Sequence, residues 1–168
     1  VTGVQTCALP IWQTALLLRD LVYSVYGIDR IEPPELLRGV VERFLFQDFA
    51  SDVALSWIAH YQPSAIIHCA GTSLVGPSIK DPGEYYNNNV VKTLKLLDTI
   101  RTKSPHTRFI FSSSAATYGI PPSGLPCQEH FATRPISPYG ESKLMIEQVL
   151  QAYKVGYNLD FVAQIGRA

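Results

Sequence analysis

The chain has 168 residues, 46% of them hydrophobic and 17% charged, with two Trp, seven Phe and nine Tyr, enough to bury one sizeable core and to be expected as a single globular domain. Lys plus Arg and Asp plus Glu both total 14, which removes the long-range field that would draw the protein to nucleic acid or to an anionic membrane. Three cysteines (Cys7, Cys69, Cys127), an odd number without C-x-x-C spacing, and four scattered histidines speak against a disulfide framework and a bound metal and fit a reducing cytoplasm.

From the N-terminus, the apolar stretch Cys7 to Leu18 is interrupted by Pro10, Gln13 and Thr14 and has no cation ahead of it, so neither a secretory signal nor a membrane span is expected. Helical spacing predicts a helix over about 13–21, followed by strands SVYGID (24–29) and RFLFQD (43–48). A helix over 52–61 follows, with Leu55, Ile58 and Ala59 on one face, then strand SAIIHCAG (64–71), a long helix over 84–103 and strand TRFIFSSS (107–114). Pro121, Pro122, Gly124 and Pro126 mark an irregular loop, after which come a helix over 138–155 and strand LDFVA (159–163). Alternating strands and helices imply right-handed crossovers and an α/β fold, a doubly wound parallel sheet with helices on both faces. Such sheets bind ligands at the carboxyl ends of their strands, which singles out Asp29, Asp48, Cys69 to Gly71 and Ser112 to Ser114.

The strongest local signal is SPYGESK (137–143). Ser137 before Pro138 reads as an N-cap and first helical position, so the helix starts here. Tyr139 and Lys143 then lie one turn apart on the same face. A phenol with an ordinary pKa of about 10 is a poor base at neutral pH, but a nearby ammonium stabilises its phenolate, giving a means of removing a hydroxyl proton. Alone, this spacing also occurs where Tyr and Lys merely pack or solvate. Upstream, FIFSSSAATYG (109–119) reads as a buried strand running into small hydroxyl residues that can orient a substrate oxygen, or as a serine-rich strand end that caps the next segment.

Taken in order, IIHCAG, VGPSIKDPGEYYNNNVVKTLKLLD, FIFSSSAATYG and SPYGESKLMIEQVL resemble the extended short-chain dehydrogenase/reductase family, the NAD-dependent epimerases and dehydratases, and within it most closely the UDP-glucose 4-epimerases. The resemblance spans roughly Ala15 to Ala163. It implies a Rossmann-type fold, NAD as cofactor and a nucleotide sugar, in first place a UDP-hexose, as substrate. By the same resemblance Tyr139 takes the sugar 4-hydroxyl proton while hydride passes to NAD, Lys143 holds the nicotinamide ribose and lowers the phenol pKa, and Ser114 hydrogen-bonds the reacting oxygen. The 4-keto sugar then turns over and takes the hydride back on its other face. Asp29 would accept the adenosine ribose hydroxyls, favouring NAD, although Arg30 beside it leaves NADP open. Asp48 and Phe49 match the adenine pocket. Cys69, Ala70 and Gly71, with Thr72 and Ser73 behind them, match the strand end packed against the cofactor, together with Ser112; Asn89 matches a helix residue that reaches the cofactor-side loops. A homodimer through the helices at 84–103 and 138–155 is implied as well.

Two departures bear on specificity. Ser73 stands where many UDP-glucose 4-epimerases have lysine, and Ala115 and Ala116 stand where dehydratases need an acid pair, which disfavours dehydration. A nucleotide-sugar reductase or dehydratase and a non-catalytic NAD(P)-binding protein are the competing expectations.

The family signature that should come first, a strand and a G-x-x-G-x-x-G turn, has no counterpart: Val1-Thr2-Gly3 offers only Gly3, and Leu9, Pro10 and Ile11 stand where the glycine turn belongs. VTGVQTCALPI reads instead as the translation of a nucleotide string resembling a widely used sequencing adapter, and Gln164 to Ala168 fits its reverse complement. The expected organisation is therefore a non-native segment at 1–11, a partial NAD-binding Rossmann domain at 12–163 and a non-native tail at 164–168. The first strand, the phosphate-binding turn and the C-terminal substrate region are expected to be missing, so that the full-length parent is active and this polypeptide is not.

Overall fold

The computed structural model describes the backbone of residues 5–33, 35, 39–121 and 127–165, and their side chains from residue 11 onward. Val1-Thr2-Gly3, Pro122, Gly124, Pro126 and Gly166 to Ala168 lie outside the described residues. The chain divides into two compact units, Val1–Trp57 and Ile58–Ala168, rather than the single domain that its composition allows.

The first unit contains helix α1 (Gln5–Asp20) and two parallel strands, β1 (Tyr26–Asp29) and β2 (Arg43–Phe46), paired from Tyr26 opposite Arg43 to Asp29 opposite Phe46. Ala15, Val40, Ala50 and Ala54 are buried, Trp12 stacks on Phe44 with ring centroids 6.4 Å apart, and Tyr26 meets Trp57 edge-on. A Cβ at Gly27 would come 2.8 Å from the Phe44 ring, so the small residue lets that ring lie over the strand. Helix α2 (Asp52–Tyr61) falls where its spacing predicts; Ser51 starts it by accepting a hydrogen bond from the Ala54 N–H.

The second unit is built on three parallel strands in the order β3 (Ala65–His68), β4 (Arg108–Ser113), β5 (Phe161–Ile165). Ala65 pairs with Arg108 and Phe109 with Phe161, which puts Ile66, His68, Phe109 and Phe111 on one face of the sheet. Phe109, Phe111, Leu96, Leu97, Ile100, Ile146 and Leu150 are buried, the last five supplied by α5 (Lys92–Lys103) and α6 (Pro138–Tyr157). Along β4 burial alternates strictly, so that Arg108 is exposed while Phe109, Phe111 and Ser113 are buried.

Among the described residues the strands form a parallel pair in the first unit and a parallel triplet in the second, rather than the one sheet that the sequence leads one to expect.

The element limits differ from the sequence reading in instructive places. The strands expected to reach Gly71 and Ser114 end at His68 and Ser113, because Gly71 adopts φ +153° and Ser114 becomes the N-cap of a 3-10 turn, Ala115–Thr117. The last strand starts at Phe161 rather than at 159 and runs two residues past 163, Gln164 and Ile165 pairing with Ser112 and Ser113. The expected single helix over 84–103 is three pieces: α4 (Pro82–Tyr85), a π-helical turn (Tyr86–Val91) and α5. An additional short helix, α3 (Val75–Lys80), precedes them. No described helix is long and apolar enough to cross a membrane.

Candidate active site

Helix α6 begins as its sequence dictates. The Ser137 hydroxyl oxygen accepts from the Gly140 N–H at 3.2 Å, Pro138 occupies the first turn, and Asn158 closes the far end in the left-handed conformation at φ 57°. Tyr139 and Lys143 are both buried near this start. The Lys143 Nζ donates to the Ser112 carbonyl oxygen at 2.8 Å, lies 4.8 Å from the Phe111 ring centroid and 6.0 Å from that of Tyr139. A phenolate formed at Tyr139 would thus have a cation alongside, held by the end of β4.

The neighbouring elements approach this pair closely because two residues lack a side chain. A Cβ at Gly140 would sit 2.5 Å from the Ala116 carbonyl oxygen, so the 3-10 turn after β4 can press against the first turn of α6. A Cβ at Gly71 would sit 2.9 Å from Asn89 Oδ1 and 3.9 Å from Lys143 Nζ. Gly71 also needs its positive φ. The missing side chain lets Asn89 close against the carboxyl end of β3, beside a buried cation and at the kind of strand end where doubly wound sheets take their dinucleotides.

Asn89 is fully engaged within the protein. Its Oδ1 accepts from the Thr72 N–H at 2.8 Å, and its Nδ2 donates to the Thr72 carbonyl at 2.9 Å and to Ser142 Oγ at 3.0 Å. Thr72 Oγ1 also accepts from Asn88 Nδ2. Cys69, Ala70 and Ser73 are half-buried along the same strand end. Ser114 caps the 3-10 turn, its Oγ accepting from the Ala116 N–H at 3.2 Å. Both readings of the serine row are therefore compatible here, since the oxygen caps while the hydroxyl proton is left to donate.

Of the predicted residues, the structure brings Gly71, Thr72, Asn89, Ser112, Ser114, Tyr139 and Lys143 to neighbouring ends of β3, β4 and α6 in the second unit. Asp29, Arg30, Asp48 and Phe49 belong to the first unit. There Asp29 ends β1 with Oδ1 accepting from the Ile31 N–H, and Asp48 Oδ1 accepts from the Ala50 N–H; both are short turn-forming bonds. Arg30 is exposed and Phe49 half-buried.

Several further residues near the site carry no local signal in the sequence. His68, the last of β3, is buried with Nε2 3.0 Å from Thr93 Oγ1, and burial first, the Lys143 charge second, push its pKa down to about 3. Ser142 lies between the two candidate catalytic residues and donates to the Tyr139 carbonyl. Tyr86 donates to the Glu141 carboxylate, the main cause of its raised pKa, and Ser113 donates to Glu147. A cavity of about 520 Å³ opens at the ends of β4 and β5, lined by Ser113, Tyr118, Glu129, Glu147 and Gln164 among others. Burial and then the Glu147 charge push the Tyr118 phenol up. The period of α6 places Ser142 and Glu147 near Tyr139 and Lys143, but no local pattern identifies their partners.

Residues 46–166 match a family model described as GDP-mannose 4,6 dehydratase. The chain is 53% identical over 119 residues to a UDP-glucose 4-epimerase of Yersinia pestis, an alignment covering 70% of this chain and 32% of that protein. It is 41% identical over 150 residues to a UDP-glucose 4-epimerase of Halalkalibacterium halodurans, covering 89% of this chain and 44% of that one. The crystal structure of UDP-glucose 4-epimerase from Brucella ovis in complex with NAD superposes with a TM-score of 0.82 at 39% identity, over 90% of this chain and 46% of that chain. The chain spans less than half the length of these relatives.

Proposed function

The chain belongs to the extended short-chain dehydrogenase/reductase family of NAD-dependent epimerases and dehydratases, and on that premise we propose that it is the larger part of the cofactor-binding region of a nucleotide-sugar 4-epimerase. In this reading the full-length protein interconverts UDP-glucose and UDP-galactose through a 4-keto sugar. The observation that carries it is the Tyr139–Lys143 pair at the start of α6, with Lys143 anchored to the Ser112 carbonyl and Gly71 left bare beside it.

When bound, NAD supplies the acceptor, and on reversal the donor, of the hydride at the sugar carbon. Tyr139 takes the 4-hydroxyl proton and later returns it, so that the sugar ends with the same proton count and an inverted centre. Lys143 provides the counter-charge and would donate to the nicotinamide ribose, and Ser114 donates its hydroxyl proton to the reacting oxygen. In the second unit Gly71, Thr72 and Ser73 with Cys69 and Ala70 would line the cofactor; in the first, Asp29, with Arg30 beside it, would hold the adenosine ribose, and Asp48 and Phe49 the adenine. Epimerisation is favoured over dehydration because Ala115 and Ala116, next to Ser114, carry no acid to expel water. A cytoplasmic homodimer and a native region of residues 12–163 complete the reading; the native locus, once sequenced, tests that boundary.

In the full-length enzyme UDP-galactose is expected to convert to UDP-glucose without added NADH. Tyr139→Phe is expected to abolish turnover and leave bound NAD in place. A requirement for stoichiometric NADH would favour a reductase, and undiminished turnover in Tyr139→Phe would refute the role given to that residue.

A further inference from the structure

The long helical stretch after Asp81 changes character at Tyr86–Val91, where it is π-helical. An extra residue in one turn rotates everything beyond it by about 100° relative to a continuous α-helix, and such turns persist where tertiary contacts hold them. Here the contacts are specific. Tyr86, the first residue of the turn, donates its phenolic proton to Glu141. Asn89, in its middle, donates to Ser142 Oγ at 3.0 Å and holds both backbone groups of Thr72. Ser142 passes the connection on by donating to the Tyr139 carbonyl at 2.7 Å. Glu141 and Ser142 are the two residues in α6 that lie between Gly140 and Lys143, so the π-turn grips the catalytic helix at the turn that carries its reactive side chains.

We propose that the π-turn Tyr86–Val91 is a positioning frame for the reaction, in which Tyr86 and Asn89 act through Glu141 and Ser142 to fix Tyr139 and Lys143 relative to the Gly71–Thr72 loop. Asn89 thereby serves as a strut between loop and helix, all three of its hydrogen bonds ending on protein atoms. Ser142 has no exposed surface and Asn89 is 4% exposed, so the bond between them is shielded from water. This inference rests on the reading of Tyr139 and Lys143 as the reacting pair.

The test uses the full-length enzyme and five variants assayed with UDP-galactose, four at the frame and Tyr139→Phe as the reference. Tyr86→Phe and Ser142→Ala are expected to lower kcat tenfold or more with KM changed less than threefold, because substrate contacts are intact while the reactive side chains lose their register. Glu141→Gln, which still accepts from Tyr86, is expected to retain at least half of kcat, whereas Glu141→Ala is expected to fall with Tyr86→Phe. Amide exchange in the first turn of α6 is expected to quicken in the three low-activity variants of the frame. If Ser142→Ala fails to fold, the Glu141→Gln and Glu141→Ala pair decides alone. Unchanged kcat and exchange in Tyr86→Phe and Ser142→Ala, alongside an inactive Tyr139→Phe, would overturn the positioning frame; an active Tyr139→Phe would instead overturn the reading of the reacting pair.

Discussion

His68 ends β3 as a neutral imidazole in the core, 3.0 Å from Thr93 Oγ1, with its ring 5.5 Å from Phe109 and 6.1 Å from Phe111. Burial and the ammonium of Lys143 both oppose a second proton and lower its pKa from 6.5 to about 3. In the unfolded chain the same imidazole protonates at its ordinary pKa. Between those two values the unfolded state binds more protons than the folded one, so stability rises with pH through this window and is lost as pH falls below about 6.5. The folded imidazole stays neutral at pH 5, and the loss from pH 7 to pH 5 is set by the unfolded state alone, at about 2 kcal/mol; below pH 3 it approaches about 5 kcal/mol. Urea unfolding at the two pH values should show this loss, and His68→Gln, which retains a hydrogen-bonding group but does not titrate, should lack it. Carboxylates such as Asp98, whose pKa is held down chiefly by its hydrogen bond from Arg101, contribute equally to both proteins and cancel. An NMR titration gives the direct readout, with the His68 ring signals expected to stay constant down to pH 4. Identical pH dependence in the two proteins, or a His68 midpoint near 6.5, would refute the reasoning.

Other perturbations act on packing and backbone. Leu97 has no exposed surface, so Leu97→Ala should cost about 2–5 kcal/mol by chemical denaturation, read by amide exchange in α5. Gly140→Ala places a Cβ 2.5 Å from the Ala116 carbonyl; a loss of about 1–3 kcal/mol and a lower kcat in the full-length enzyme are expected, and a variant of unchanged stability would show that the 3-10 turn yields freely. Val22, a β-branched residue at φ 66° and 92% exposed, carries strain that glycine relieves, so Val22→Gly should raise the thermal midpoint by the equivalent of about 1 kcal/mol.

The parts of the fold that were legible in the sequence are those set by short-range chemistry. FIF and AII mark strands because parallel strands buried in a sheet need branched and aromatic residues in succession, and both runs lie in paired strands. Ser137 and Pro138 start α6 because a hydroxyl acceptor and a residue without an N–H each suit a helix N-terminus. Helix α2 fell where its apolar spacing placed it. Two features were not legible. The π-turn is hidden within the helix expected over 84–103, because the apolar residues on either side continue a helical pattern. Helix α3 leaves no signal in the sequence because VGPSIK holds a glycine, a proline and little periodicity.

The candidate site divides in the same way. Tyr139 and Lys143 were placed on one helical face by their spacing, and Gly71 and Ser112 to Ser114 by their position at strand ends. What the sequence alone determined, then, is the alternation of strands and helices, the chemistry of the α6 start and the family to which these motifs point. Tertiary structure decided that Lys143 reaches Ser112, 31 residues away, and that Asn89 joins Thr72, 17 residues back, to Ser142, 53 residues on. It also decided that the strands form two sheets. The physical reason is range: caps and periodicity are read within one or two turns of chain, whereas these bonds and pairings exist only once distant segments have packed together.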